Sequence, residues 1–313
     1  MAEKNALSTQ EVADLLCVSK STVYDLIRKG EIQSYTVGRK VRFTESDVKE
    51  YISLSKERRV ARNASALDAT QFDLSGGEKK PAGFIICRQD IILDVLSNYM
   101  RLHEIPALRA YIGSYDGLVS LYRNKVNVTA SHMWDSDSDT YNVPYVRRLL
   151  PGIPAVVLHL TCRMQGLYVA RGNPKGICDW KDFSREDITM INREQGAGSR
   201  VLLDENLKLQ GIYGSSIKGY HKEISSHLAV ASAVSRGEAD VAVGNEKIAR
   251  QVDNIEFIPM KKERYDLIFR KESMGSTEIQ IMLKIIRSNA FKNEFDNVGG
   301  YDTSDMGKIV AEM

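Results

Sequence analysis

ITMINREQGAGSRVLLDENL, residues 188–207, carries the pattern that decides the fold. Ile188 to Ile191 reads as a short strand and Val201 to Leu207 as a helix, with a small-residue turn between them. Gly196 and Gly198 let the backbone pass close to a ligand, Ala197 adds no bulk, and Ser199 sets a hydroxyl at the helix start. The free N–H groups and dipole of such a helix start favour an anion. Two weaker copies stand upstream. Gly83 to Cys87 leads through Arg88, Gln89 and Asp90 into a helix with Ile91, Ile92, Val95, Leu96 and Met100. Tyr111 to Gly113 leads through Ser114, Tyr115 and Asp116 into a helix with Leu118, Val119 and Leu121. Strand followed by helix, repeated from Pro81 onward, predicts an α/β unit around a largely parallel sheet. The 188–207 turn lacks G-x-x-x-x-G-K-[ST] and the dinucleotide spacing, so it does not indicate nucleotide hydrolysis.

The 313 residues suit roughly two domains. Lys plus Arg at 43 against Asp plus Glu at 41 gives +2, so no global field draws a polyanion. Residues 17–42 depart from that balance, with Lys20, Arg28, Lys29, Arg39, Lys40 and Arg42 against Asp25 and Glu31. Nucleic-acid contact is expected there. No apolar leader opens the chain and no run of eighteen apolar residues occurs, which predicts a cytoplasmic protein without a membrane partner. Cys17, Cys87, Cys162 and Cys178 are scattered, as in reduced thiols rather than a disulfide framework or zinc site.

Ser8-Thr9-Gln10-Glu11 is a capping box ahead of the apolar face Val12, Ala13, Leu15, Leu16. Cys17-Val18 makes a turn, Ser19 caps a second helix from Lys20 to Lys29 with Val23, Leu26 and Ile27 inward, and Gly30 stops it. Tyr35 to Phe43 alternates around Gly38-Arg39 as a hairpin wing, and Thr44 opens a third helix with Val48, Tyr51 and Ile52. Two helices around a tight turn place the second in the major groove. Residues 53–80, polar and ending in Gly76-Gly77, read as a linker.

The run LSTQEVADLLCVSKSTVYDLIRKGEIQSYTVGRKVRFTESDVKEYI resembles the excisionase-type winged helix-turn-helix related to MerR regulators. That resemblance implies that Ser19, Lys20, Thr22, Tyr24 and Arg28 serve the recognition helix, and Arg39, Lys40 and Arg42 the wing. GSYDGLVSLYRNKVNVTASHMWDSDSDTYNVPYV, CRMQGLYVARGNPKGI, INREQGAGSRVLLDENL, GYHKEISSHLAVASAVSRGEADVAVG and FIPMKKERYDLIF together are similar to the periplasmic-binding-protein-like domain related to molybdate-binding proteins. This implies a type II fold of two α/β lobes with a ligand clamped between them. The expected division is 1–55 for DNA binding, 56–80 for the linker and 81–313 for the ligand domain. Within the last, lobe one is 81–160 plus 256–313 and lobe two is 161–255, with crossings near 158–164 and 251–259. Carried over by position, the cleft draws on Arg88, Gln89, Asp90, Ser114, Tyr115, Ser131 and His132 from lobe one. Lobe two offers Gly196, Ala197, Gly198, Ser199, Arg200, Tyr220 and His227. The chain departs from the family at Arg88 and Gln89, where relatives tend to carry a small residue and a histidine.

The expectation is a transcriptional regulator, most simply a homodimer on a double-stranded operator. Its effector is a small anion, molybdate or tungstate first, with a carboxylate, phosphate or organic metabolite as the alternative. An excisionase-like architectural accessory is a further reading, which the long ligand domain opposes. No enzyme, cofactor or metal is expected. Asp135, Asp137 and Asp139 imitate a calcium loop but lack Gly at the sixth position and Glu at the twelfth. His103, His132, His159, His221 and His227 form no H-x-x-x-H pair. No nucleophile–base triad is readable from spacing alone.

Overall fold

The computed structural model describes residues 6–15, 20–28, 32–38, 40–44, 46–48, 83–296 and 298–313. The chain divides into two units, Met1–Phe72 and Asp73–Met313. The expected turn at Cys17-Val18, the cap Ser19, the stop Gly30, the tip Arg39 and the linker all lie outside the described residues.

In the first unit β1 (Leu7–Ser8) leads into α1 (Thr9–Leu15), followed by α2 (Lys20–Arg28), β2 (Tyr35–Val37) and β3 (Lys40–Phe43). The capping box forms: the Ser8 N–H donates to Glu11 Oε2 at 2.8 Å and the Glu11 N–H to Ser8 Oγ at 3.3 Å. A second one starts the turn at 46–48, where the Asp47 N–H donates to Thr44 Oγ1 and the Thr44 N–H to Asp47 Oδ2. β2 and β3 pair antiparallel, with Tyr35 opposite Arg42 and Val37 opposite Lys40, and β1 adds to the far side of β3. Val12, Ala13, Val23, Leu26, Ile32, Phe43 and Val48 fill the core.

The second unit opens with β4 (Phe84–Cys87), α3 (Ile91–Leu102), β5 (Ala107–Ala110), α4 (Ser114–Tyr122) and β6 (Val128–Ser131). A small hairpin, β7 (Trp134–Asp135) and β8 (Thr140–Tyr141), precedes α5 (Val143–Leu149) and the long β9 (Ala155–Ala170). Then come β10 (Asn192–Arg193), α6 (Gly198–Leu209), β11 (Glu223–Ile224), α7 (His227–Ser235), β12 (Val241–Asn245) and α8 (Glu246–Ala249). The second long strand, β13 (Ile255–Arg270), is followed by α9 (Thr277–Arg287), α10 (Asn289–Asp296) and β14 (Ile309–Glu312).

The main sheet runs β5-β4-β6-β13-β9-β12, with β14 also on β9. β4, β5 and β6 are parallel, as strands joined by crossover helices must be, and β13 returns antiparallel between β6 and β9. At 16 residues each, β9 and β13 are far longer than an ordinary strand and serve both lobes. Their outer pairing partners differ along their length: β14 and β6 at one end, β12 at the other.

Each lobe has its own core. Phe84, Ile86, Leu96, Val156, Leu158, Leu267 and Phe269 join α9 and α10 in lobe one. In lobe two the strand alternation splits β9, with Leu167 and Val169 facing Leu202, Leu203 and Phe183, and Tyr168 facing Val230 and Val234. Two expectations are corrected here. Ile255 to Pro259 pair with Ala170 to Gly166, and Phe257, Ile258 and Met260 pack in lobe two. The second crossing therefore lies beyond 251–259, in the polar stretch Lys261 to Arg264. Trp134 and Tyr141, expected in lobe one, belong to the lobe-two core, because the hairpin they form leans on α6.

Candidate functional site

The loops after β5 and β6 meet the start of α6 across the gap between lobes. The Tyr115 N–H, at the start of α4, donates to Gly196 O at 3.1 Å. Gly196 takes φ +81°, a backbone conformation that favours glycine. Opposite His132, Gly198 has no room for a side chain, since a Cβ there would sit 2.5–2.7 Å from the imidazole atoms. The lobes are closed on each other at this point.

Around the contact lie Ser114, Ser131 and Ser199, all fully buried, whose hydroxyls bond to no described residue. Arg193 Nη1, His227 Nδ1 and the Tyr265 hydroxyl are shielded and unpartnered in the same way. Buried polar atoms nearly always find partners. Such a concentration where two lobes close marks a place built to bond something outside the chain.

Arg88 is 4% exposed, and no carboxylate among the described residues lies within ion-pair distance of it. Its guanidinium donates to His132 Nε2, and its backbone carbonyl accepts from Arg109. It also holds φ 110°, an unusual state for a non-glycine residue, worth about 1–3 kcal/mol of strain. His132 turns Nδ1 to Glu263 Oε2 at 2.5 Å, and Arg163 Nε bonds Glu263 Oε1 at 2.6 Å. Burial works to raise the Glu263 carboxyl, but Arg163 and His132 hold it down at about 2. Burial drives His132 to about 4, with Arg88 acting alongside and Glu263 opposing. Burial also puts His227 well below the ordinary imidazole range, helped by Arg193 and Arg88. The neutral His132 ring thus donates to Glu263 through Nδ1 and accepts from Arg88 through Nε2. It ties Arg88 in place without cancelling its charge.

Beside this cup is a cavity of about 170 Å³ between the lobes, lined by Gln89, Asp90, Arg163, His227, Asn245 and Lys247 among others. Gln89 is exposed there. Asp90 is committed: it caps α3 through the Ile92 N–H at 3.0 Å and accepts from Tyr301 at 2.6 Å and from Arg163.

The structure takes Arg200 and Tyr220 out of the expected anion set. Arg200 Nε bonds Asp204 at 3.1 Å, its Nη1 donates to Arg193 O and Glu223, and its guanidinium lies 4.1 Å from the Tyr220 ring centre. Tyr220 donates to Asp204 at 2.8 Å. Both are lobe-two struts. Ala197 is the N-cap of α6, and Tyr115 lies half-exposed beside Gly196. Arg193, Arg163, Glu263 and Tyr265 are site residues that sequence reading missed. Only Arg163 carried a signal, a charge in the mostly apolar strand Ala155–Ala170, whereas Glu263 and Tyr265 stand in a charged run and Arg193 in the two-residue strand Asn192–Arg193.

A single methyl group tests the closure. Gly198→Ala is expected to cost about 1–3 kcal/mol in the closed form, because His132 is pinned on both ring nitrogens and cannot give way. Small-angle scattering should show a more open ligand domain; an unchanged profile would contradict the assigned contact.

In the first unit, Lys20, Thr22 and Tyr24 are exposed on α2, while Val23 and Leu26 are buried. On the wing Lys40 is exposed, and half-buried Arg42 donates to Val41 O at 3.0 Å. The side chain of Arg28 lies outside the described residues, as do Ser19 and Arg39.

Comparison with known proteins follows the same division. Residues 97–287 match the PBP superfamily domain, and residues 6–53 match a helix-turn-helix domain. YvgK of Bacillus subtilis (strain 168) is 38% identical over 317 residues, covering 100% of both chains. A Clostridium pasteurianum protein in the 5′ region of a ferredoxin 2Fe-2S gene is 53% identical over 113 residues, 36% of this chain and 100% of that one. Among solved structures, an ABC-type phosphate transport receptor from Vibrio cholerae is 15% identical with a TM-score of 0.47, covering 70% of this chain and 98% of its own.

Proposed function

Since the chain belongs to the PBP superfamily and carries a helix-turn-helix domain ahead of that fold, we propose that it is a cytoplasmic, ligand-responsive transcriptional regulator. Its effector is a small oxyanion held between the lobes and released unchanged. The observation that carries this reading is the set of buried, unpartnered donors Ser114, Ser131, Ser199 and Arg193 Nη1, together with the buried Arg88 that has no carboxylate partner among the described residues. A cluster of donors with one guanidinium free of carboxylates suits an anion that accepts hydrogen bonds on all sides. Molybdate or tungstate is the first candidate. Arg88, whose planar fork matches two oxygens at once, makes a phosphate or carboxylate the second.

Lys20, Thr22, Tyr24, Lys40 and Arg42 supply the DNA-facing surface, with two copies of the chain on two half-sites. Effector and operator then influence each other's affinity by the same factor. The test is a thermal-shift series on the full chain with molybdate, tungstate, phosphate, sulfate and small carboxylates. The true effector at a hundredfold excess over Kd stabilises by about 2.7 kcal/mol. In parallel, Lys20→Ala with Lys40→Ala should weaken binding to duplex DNA and flatten its salt dependence by roughly 0.9 in log–log slope per lost phosphate contact. No shift with any anion would reject the sensor, and an unchanged slope would reject the DNA surface.

A further inference from the structure

Three side chains on β9 and β13, beside the effector cup through the pairing of Asp266 with Ser131, form an arrangement that the proposed function does not use. His159 Nδ1 lies 2.9 Å from Asp266 Oδ1, and His159 Nε2 lies 3.8 Å from the Cys162 thiol. Residues three apart on a strand normally face opposite ways. Here the pairing of β9 with β13 slips between Tyr265 and Asp266, whose partners are Thr161 and His159, so Leu160 is the extra residue of a β-bulge. The bulge reverses the alternation and turns His159 and Cys162 to the same side, the re-aiming role that bulges serve next to reactive groups.

We propose that Cys162 is an oxidation site, whose thiol reacts with small hydroperoxides with His159 as its proton acceptor and Asp266 as the carboxylate that orients the imidazole. Asp266 is fully buried and accepts from His159, from Asn142 at 2.8 Å and from Arg264 at 2.8 Å, so it is fixed in place. It bonds Nδ1 and leaves Nε2 for sulfur, the order of nucleophile, base and orienting group that activates a weak nucleophile. Burial opposes the charged imidazole, yet Asp266 raises His159 to about 9, so a cation faces the sulfur at neutral pH. The other charged or titratable groups around the pair are Lys262 and Arg264 from β13, Asp302 and Asp305 from the C-terminal segment, and Tyr141 from the hairpin. Lys262 is bonded to Asp302. Cys162 is partly exposed, whereas Cys87 is buried and its thiol is pushed up to about 12 by desolvation. Electropositive, partly exposed surroundings are what separate reactive from inert cysteines.

The step balances. The reactive form is the ion pair in which the thiol's proton rests on His159 Nε2, and its thiolate attacks one oxygen of the hydroperoxide. An S–O bond forms as the O–O bond breaks. The departing alkoxide or hydroxide takes the proton back from His159. Sulfur loses two electrons and becomes a sulfenic acid, and the peroxide is reduced to alcohol or water. The product lies on the stretch of β9 that passes from one lobe to the other, where Cys162 exchanges backbone hydrogen bonds with Asp302 at 3.0 and 3.2 Å.

The experiment uses the full chain and an internal standard. Cys178 is exposed and hydrogen-bonded to the Asp182 carboxylate rather than to an imidazole. An ordinary thiol is only about 1% ionised at pH 6.5. Iodoacetamide at that pH, followed by peptide mass spectrometry, should modify Cys162 at least tenfold faster than Cys178. Hydrogen peroxide followed by a sulfenic-acid-trapping 1,3-diketone should label Cys162. His159→Asn should slow alkylation at pH 6.5 about tenfold and restore it above pH 9. Equal rates for Cys162 and Cys178 in the unmodified chain, or no diketone label on Cys162, would overturn the proposal even if the variant failed to fold.

Discussion

Arg88→Ala protein should keep its affinity for DNA yet lose the stabilisation that the effector brings. The guanidinium is buried and without a carboxylate partner among the described residues, so its charge is left for a ligand. Truncating a buried charge that bonds a ligand typically costs about 2–5 kcal/mol, a Kd weaker by roughly thirtyfold or more. A second consequence separates this residue from an ordinary core position. Removing the side chain leaves the φ 110° backbone to an alanine, whereas Arg88→Gly also relieves the strain. The glycine variant should therefore be about as stable as the parent or more so, and still fail to bind. Titration calorimetry with the effector found by thermal shift, together with denaturant unfolding of both variants, checks this. An Arg88→Gly protein that binds normally would remove Arg88 from the site.

Arg163→Met should be the most damaging single change to stability in the ligand domain. Arg163 bridges Glu263 and Asp90, and its guanidinium lies 4.1 Å from the Tyr265 ring centre. Without it two shielded carboxylates face each other's side of the gap with fewer donors. Breaking one partner of a buried ion pair costs about 3–5 kcal/mol, or roughly 10 °C in Tm for a domain of this size. The pH dependence carries a sign. Glu263 stands at about 2 in the folded chain against an ordinary 4.5, so its contribution is complete above 4.5 and fades as pH falls toward 2. The stability gap between parent and Arg163→Met should narrow as pH falls over that interval. Denaturant unfolding at a series of pH values measures it; a gap independent of pH would place the damage elsewhere.

The features legible in the sequence are those set by neighbours along the chain. The Ser8–Glu11 capping box, the wing register around Gly38 and the helix starts after Gly113 and Ala197 need only local geometry, and they form. The strand expected at 188–191, however, is a two-residue strand at Asn192–Arg193 with a lone bridge at Met190, and the helix expected from Val201 begins at Gly198. Arg163 and Glu263 are a hundred residues apart and meet only because β9 and β13 run side by side through both lobes. Nothing in either local pattern announces the pair. The second crossing falls later than the expected 251–259 because a strand shared by two cores changes from one to the other where it is polar, here Lys261 to Arg264. Arg200 shows the opposite failure. Asp204, four residues on, sits on the same helix face and competes for the guanidinium, a spacing visible in the sequence.

The chain Arg88–His132–Glu263 has one more property. Its imidazole sheds its proton at about 4 and its carboxyl at about 2, and His227 lies well below the usual range, while a guanidinium keeps its charge throughout. No member of this set titrates near neutral pH. On the proposed reading, the occupancy of the site between the lobes would follow the amount of anion present and that anion's own protonation, with no contribution from these residues to its pH dependence near neutrality.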